Sequence, residues 1–545
     1  MPRKQLLLDP EYNMRILIAE PLAAAGIQLL REQPGWEVVV SNPKEYAQHL
    51  AEADALIVRS AVTVDQSVLS GAPKLRVIGR AGVGVDNVDL PAATAAGVLV
   101  MNTPGGNAVS VAEHTLALML CLARSIPNAS ASVKSGKWEK RKFMGTELRG
   151  KTLGIVGLGS IGREVVKRAA AFEMKIIAND PYVHSQTAKD VGVELVDLAT
   201  LYARSDYITL HTALTPESVR MLNATAFSNM KPGARIINCA RGELIDQDAL
   251  RDALAAGKLG GAALDVFEKE PPKPDDPLFS MEKLVATPHI GGSTEEAQEI
   301  VGVRIAEQIV QYLQHGAALH AVNLPALTPE QYKTLGPYGQ LAERLGNFAS
   351  YVSTGNPQSV RLVYFGKIAE YNTLLVRNAG LAGVLQRSVA RNANSINAMQ
   401  IAGDRGLTVA ERHEKRVVHI DSVRVDLETD AGSTSVEGAV VLDQPRLLQV
   451  DGIHCEAPLE GHLTMLKSKD VPGVIGYVGD VLGRGGINVA TFSLGRGEAG
   501  GVAVSVIQTD QPVPDEVLDE LRKNPAVNVA RSIRFANTMP ALPVL

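Results

Sequence analysis

Short apolar runs recur along the first three hundred positions, each bounded by polar or glycine-containing turns. Between residues 14 and 106 the runs MRILIAE, WEVVVS, ADALIVR, LRVIGRAG and VLVMN predict strands, and the segments between them carry apolar residues at helical spacing. Strands that alternate with helices predict a parallel sheet. A second series spans residues 150–290, with GKTLGIVGLG, KIIAND, YITLH, ARIINCA, GAALDVF and LVATPHI as its strands. Residues 107–123 (NAVSVAEHTLALMLCLA) separate the two series and predict a long apolar helix. Its Glu113 and His114 read as paired polar groups on a packed surface. Residues 294–315 predict an amphipathic helix, and the Pro-rich stretch 320–339 predicts a linker. Residues 340–455 read as a further α/β region, and residues 460–545 as a βαββαβ unit with a glycine-rich centre. The fold class is therefore α/β throughout. The first regular pattern starts at Met14, so residues 1–13 read as a tail, or Met14 as the start of the chain.

Composition narrows the classes. A chain of 545 residues exceeds what one hydrophobic core usually serves, which implies three or four domains. The formal net charge of −5 offers no basic field for nucleic acid or an anionic membrane, so any phosphate site must be local. No run of about 20 apolar residues occurs, and the three leucines near the N-terminus are too few for a signal-peptide core. Cys121, Cys239 and Cys455 are scattered and form no CxxC pair. That argues against a disulfide framework or a metal site and favours a reducing, cytoplasmic compartment.

GLGSIG places Gly157, Gly159 and Gly162 in a GxGxxG pattern between a predicted strand and a predicted helix, and the next strand ends at Asp180. Strand, glycine turn, helix, strand and acid within about 30 residues form the complete dinucleotide fingerprint. Gly157 allows the sharp turn, Gly159 admits a pyrophosphate, and Gly162 lets helix and strand pack. The helix N-terminus offers free N–H groups. Asp180 can accept from a ribose diol and would repel a 2′-phosphate, which favours NAD over NADP.

Downstream, NCARGELID carries Arg241, ALDVFEKEPP carries Asp265 and Glu270, and TPHIGGST carries His289, each at a predicted strand end. Oxidation of a 2-hydroxy acid needs a cation for the carboxylate, a base for the hydroxyl proton, and a carboxylate to orient that base. Arg241, His289 and Glu270 are of the right chemical types.

The stretches RAGVGVDNVD, NTPGGNAVSVAEHTLALML, KWEKRKFMGTEL, GLGSIG, NCARGELID, AALDVFEKEPP and PHIGGST resemble the D-isomer-specific 2-hydroxyacid dehydrogenase family, most closely its long-chain branch acting on 3-phosphoglycerate. The resemblance implies a two-lobed Rossmann-type dehydrogenase. Residues 14–106 and 297–322 would form a flavodoxin-like substrate lobe, and residues 107–296 the NAD-binding lobe. It implies NAD contacts at Gly157, Gly159, Ser160, Ile161, Gly162, Asp180, Thr212, Cys239, Ala240, Arg241, Asp265, His289, Gly291 and Gly292. Substrate contacts are implied at Arg59, Ser60, Arg80, Gly82, Asn107, Arg141, Arg241 and His289. Arg141 belongs to the basic run Lys140–Lys142, which in the family can reach a neighbouring subunit. Val83 stands where some members carry a threonine near the nicotinamide. The implied activity is NAD-dependent oxidation of 3-phosphoglycerate by a homo-oligomer, dimer or tetramer. Two other readings are a reductase of glyoxylate or hydroxypyruvate and a non-enzymatic, corepressor-like NAD sensor. The C-terminal extension argues against the former and the intact trio against the latter.

Residues 323–457 resemble the intervening domain of the long-chain branch. Its Arg377, Arg387 and Arg391 read as exposed helix charges, with an anion pocket as the alternative the resemblance implies. Residues 460–545 resemble an ACT domain, a module that binds amino acids at subunit interfaces. Asp470, Gly476 and Asn488 are its candidate L-serine positions, and Ser468 stands where serine-regulated members often carry His or Tyr.

Overall fold

The computed structural model describes residues 13–325, 327–387, 393–415 and 420–535, so Arg391 and most of the N-terminal tail lie outside the described residues. One compact unit is Thr103–Gly302, and the chain before and after it makes up the other.

The first five strands are β1 (Met14–Ile18), β2 (Trp36–Val40), β3 (Ala55–Val58), β4 (Val77–Arg80) and β5 (Leu99–Met101). They pair in parallel in the order β2-β1-β3-β4-β5. Ile16, Leu17 and Ile18 are all buried. Consecutive residues of a strand face opposite sides, so this sheet is covered on both, as parallel sheets must be.

The unit Thr103–Gly302 opens with helix α1 (Ala108–Arg124). Its sheet comprises β6 (Thr152–Val156), β7 (Lys175–Asn179), β8 (Glu194–Leu195), β9 (Tyr207–Leu210), β10 (Ala234–Asn238), β11 (Leu259–Leu264) and β12 (Leu284–Ala286). Every pairing is parallel and the order is β12-β11-β10-β9-β6-β7-β8. The two-residue β8 escaped the sequence pattern because it is too short to show a period. Two apolar clusters cover the two faces. Val111, Leu116, Leu118 and Met119 of α1 pack with Leu153, Ile155, Tyr207 and Ile237 on one face. Leu201, Phe227, Leu250 and Leu254 pack with Val156, Ile208, Leu210 and Ile236 on the other. Strand order reverses at β6, which lies between β9 and β7, and ligands of such sheets bind at that switch point. Helix α2 (Ser160–Ala171) follows β6 directly. Helix α3 (Glu295–His315) leads out of the unit.

The expected linker at residues 320–339 is corrected. Its second half is the start of helix α4 (Pro329–Val352). Thr328 and Gln331 form a capping box and proline occupies the first turn, where its missing N–H costs nothing. Proline content alone misled, because Pro329 initiates the helix and Pro337 lies within it. Leu341, Leu345, Phe348 and Ala349 of α4 are buried beneath a six-stranded sheet, Pro357–Phe365 to Ile453–Pro458. A four-stranded antiparallel sheet follows, with two helices in βαββαβ order. The two sheets share one core: Leu463, Met465, Val504, Val506 and Ile533 belong to the same apolar cluster as Leu345, Phe348 and Val425. Arg344, buried on α4, donates to the Leu459 carbonyl at 2.6 Å and ties the connection between the sheets.

Leu463→Ala is expected to cost about 2–5 kcal/mol. Because the core is shared, it should also speed amide hydrogen exchange in the six-stranded sheet. Exchange changes confined to residues 460–535 would contradict a common core.

Candidate active site

The turn between β6 and α2 has the geometry its glycines predict. Gly157 sits at φ +94°, and a Cβ there would lie 2.4 Å from the His211 carbonyl oxygen. A Cβ on Gly162 would lie 2.2 Å from the Gly157 oxygen, whereas around Gly159 there is open space. Close packing at the first and third glycines and room at the second suit a pyrophosphate lying against the start of α2, where N–H groups are unpaired. Ser160 and Ile161 form the first turn of α2. Asp180 follows β7 and accepts from Leu158 N at 2.7 Å and Tyr182 N at 2.9 Å, so it braces the glycine turn while remaining partly exposed.

Strand register brings the distant motifs together. Leu210 pairs with Val156 and Asn238, Asn238 with Leu264, and Leu264 with Ala286. The next residue on each strand, Gly157, His211, Cys239, Asp265 and Thr287, therefore lies on one rung at the C-terminal edge. Thr212 follows His211, and Ala240 and Arg241 follow Cys239. Burial pushes the Cys239 thiol up to about 12, so it is an inert packed group and its backbone borders the crevice. His211 is partly buried, and burial lowers it to about 3, which keeps it neutral.

His289 and Glu270 meet: His289 Nδ1 lies 2.7 Å from Glu270 Oε2. Glu270 Oε1 accepts from Phe267 N at 3.0 Å, fixing the carboxylate. The hydrogen bond to Glu270 raises the His289 pKa above its ordinary value against the opposing effect of burial. Burial works to raise Glu270, yet its bonds to His289 and Phe267 hold it below the usual range. Arg241 stands close enough to act electrostatically on His289, and its NH1 donates to the Ala240 carbonyl at 2.7 Å.

Asp265 anchors the turn that presents His289. Its Oδ1 accepts from Thr287 Oγ1 (2.6 Å) and Ile290 N (2.9 Å), and its Oδ2 from Gly291 N (2.8 Å). His289 N donates to the Asp265 carbonyl at 2.8 Å. Burial opposes ionisation of Asp265, but its hydrogen bonds outweigh it and the pKa is lowered. Asn107 packs against this turn, since a Cβ on Gly292 would lie 2.7 Å from Asn107 Nδ2.

Arg59, Ser60, Arg80 and Gly82 belong to the other unit, at the C-terminal ends of the adjacent strands β3 and β4. The sequence reading missed Glu20, which organises this loop: its buried carboxylate accepts from the N–H groups of Arg59, Ala61 and Val62. The signal was an acid ending the first strand run. Arg141 is exposed, and its neighbour Lys142 pairs with Glu282 at 3.0 Å. Arg377 is partly buried, contrary to expectation, and pairs with Glu411 on the adjacent strand at 3.3 Å while donating to Asn378. Arg387 is exposed and donates to the Ser350 carbonyl.

Asp470 and Asn488 are not brought together within one chain. Asp470 receives Gly500 N and Arg496 NH1, whereas Asn488 donates to Asp510 at 2.6 Å. They flank opposite ends of paired eight-residue strands, His462–Lys469 and Val502–Thr509, about 25 Å apart by strand rise. Gly476 lies in the first turn of the helix Val474–Arg484, with open space around it.

Residues 116–291 match the family described as D-isomer specific 2-hydroxyacid dehydrogenase, NAD binding domain. Residues 334–451 match the D-3-phosphoglycerate dehydrogenase intervening domain. The chain is 43% identical to D-3-phosphoglycerate dehydrogenase of Methanocaldococcus jannaschii over 516 residues, covering 94% of this chain and 98% of that one. It is 38% identical to the Bacillus subtilis protein of the same name, with coverage of 94% and 98%. Among solved structures it resembles an NAD-dependent formate dehydrogenase of Staphylococcus aureus in complex with NAD. There the identity is 30% and the TM-score 0.51, over 56% of this chain and 97% of that one.

His289 should titrate above the ordinary histidine value of about 6.5, and Glu270→Gln should bring it down. NMR titration of the imidazole reads both. The raised His289 and lowered Glu270 mean that the pair stabilises the protein fully between about pH 4.5 and 6.5, and that this contribution is lost as pH rises through the elevated histidine value or falls through the depressed carboxylate value. An unshifted midpoint in Glu270→Gln would remove the carboxylate as its cause.

Proposed function

The chain belongs to the D-3-phosphoglycerate dehydrogenases of the D-isomer-specific 2-hydroxyacid dehydrogenase family, and on that premise we propose a role for each polar group of the site. The enzyme oxidises 3-phospho-D-glycerate to 3-phosphohydroxypyruvate with NAD, the first step of L-serine biosynthesis. The observation that carries the residue roles is the 2.7 Å contact between His289 and Glu270 beside Arg241, at the edge of a sheet whose glycine turn accommodates a dinucleotide.

Arg241 holds the substrate carboxylate through two parallel hydrogen bonds, a geometry a lysine cannot supply. With Nδ1–H donated to Glu270, the Nε2 lone pair of His289 takes the C2 hydroxyl proton. Glu270 fixes that tautomer and stabilises the imidazolium as it forms. NAD, when bound, supplies the hydride acceptor. Gly157, Gly159, Ser160, Ile161 and Gly162 would hold its pyrophosphate, Asp180 its adenosine ribose, and the backbone of Thr212, Cys239 and Ala240 would line its path. Asp265, Gly291 and Gly292 would complete the cofactor site.

Residues 107–296 form the NAD-binding domain, and residues 14–106 with 297–322 the substrate domain. Arg59 and Arg80 are the cations for the substrate phosphate, and Ser60, Gly82 and Asn107 are further substrate contacts. Arg141 serves a neighbouring subunit of a dimer or tetramer. Residues 323–457 are the intervening domain and 460–545 an ACT domain. Because Asp470 and Asn488 flank opposite strand ends, an L-serine site that uses both spans two copies. The three unpaired cysteines suit a reducing, cytoplasmic setting. Among the described residues no single helix is long and apolar enough to cross a membrane.

Purified enzyme is expected to reduce NAD with 3-phosphoglycerate and to act poorly on glycerate or lactate. Arg241→Ala should lower kcat/KM at least about a hundredfold, since two charge-assisted hydrogen bonds at roughly 1.5–3 kcal/mol each are lost, while the Kd for NADH stays within a few fold. Unchanged kcat/KM would exclude Arg241 from carboxylate binding. Inhibition by L-serine, abolished in Asp470→Ala, checks the effector site; indifference of the wild type to L-serine would reject it.

A further inference from the structure

On the apolar helix α1, the partly buried His114 makes contacts that plain packing does not explain. Its Nε2 lies 3.0 Å from Thr287 Oγ1 and 3.3 Å from Asp265 Oδ1, although the two partners are 173 and 151 residues away. The protons order themselves. Thr287 has one hydroxyl proton, and the short 2.6 Å contact commits it to the Asp265 carboxylate, which can only accept. The threonine oxygen is then free to accept, so His114 must carry its proton on Nε2 and donate it. A directional chain results, from His114 through Thr287 to Asp265, and Asp265 in turn receives the N–H groups of Ile290 and Gly291.

That chain ends on a strained element. His289 adopts φ +54°, a left-handed conformation that a non-glycine residue keeps only when its surroundings over-determine it. The flanking N–H groups are held by one carboxylate, and that carboxylate is held from α1. The side chain so presented is the one bonded to Glu270. The geometry points to His114 as a positioning residue for the reaction: acting through Thr287 and Asp265, it locks the turn that delivers His289 to the substrate. This rests on the reading of His289 as the acid–base group. His114 contacts Thr287 and Asp265, whereas His289 bonds to Glu270.

The test compares His114→Ala, His114→Gln and Thr287→Val with His289→Asn in the full-length enzyme. Glutamine places a donor near the Nε2 position, and valine removes only the relay hydroxyl. His114→Ala and Thr287→Val are each expected to lower kcat roughly 10- to 100-fold, the scale of a small misplacement of a catalytic group, with the Kd for NADH within about twofold. Both should move the pH midpoint of kcat/KM assigned to His289, the group that Glu270, Asp265 and Arg241 face. His114→Gln should recover most of both effects. The double variant His114→Ala/Thr287→Val should lose less than the product of the two single losses, because both side chains act on the one Asp265 carboxylate. Wild-type kcat and pH midpoint in His114→Ala overturn the proposal, as do additive losses in the double variant or equal damage from Gln and Ala. If His114→Ala does not fold, as judged by circular dichroism, Thr287→Val decides: an unshifted midpoint overturns the proposal. Wild-type activity in His289→Asn would instead reject the acid–base assignment itself, a failure the other variants cannot mimic.

Discussion

The in-register parallel pairing of β6, β9, β10, β11 and β12 is the constraint on which the rest of the site depends. Parallel hydrogen bonding fixes which residue of each strand comes last before the chain turns away. Here it sets Gly157, His211, Cys239, Asp265 and Thr287 on one rung. A slip of one residue on β11 would turn Asp265 to the opposite face and break the anchor of the His289 turn. That slip would also exchange the small Ala263 and the larger Leu264 between two close-packed faces, which resist such a change of volume.

Two carboxylates near His289 are made different by what surrounds them. Asp265 is almost inaccessible and saturated with donors, which keeps it ionised and leaves it little capacity to move a proton. Glu270 is partly exposed, with one oxygen held by a backbone N–H and the other facing the imidazole. The former suits a fixed scaffold and the latter a tuning partner. This is the general way in which neighbouring acids acquire separate roles. Both place negative charge near His289, so its raised proton affinity has two sources, Glu270 the larger, opposed by burial and by Arg241.

What the sequence showed and what it hid follow from locality. The glycine turn, Asp180 and the strand runs declare themselves within about 30 residues, because backbone sterics and periodicity are local. Arg241, Glu270 and His289 were legible as chemical types at strand ends, although only the fold brings Glu270 and His289 into hydrogen-bonding distance. His114 was hidden by its setting: a polar residue in NAVSVAEHTLALMLCLA looks like a packing compromise until Thr287 is seen above it. Glu20 was hidden likewise, its partners lying 39–42 positions away. The helix start at Thr328-Pro329-Glu330-Gln331 was legible as a capping box and was obscured by a count of prolines.

The shared core of the C-terminal sheets limits how regulation can reach the active site. A ligand that loosened the four-stranded sheet alone would have to open the cluster joining Met465 and Val506 to Phe348 and Val425, whose members are almost wholly buried. Close-packed cores resist such partial opening and shift as bodies instead. The buried bond from Arg344 to the Leu459 carbonyl removes the slack that a flexible connection would allow. An effector held by the C-terminal module would therefore act by moving the two sheets together. Asn394, in the turn before the helix Ala398–Asp404, donates to the Gly97 carbonyl at 2.8 Å and so ties this body to the loop that precedes β5.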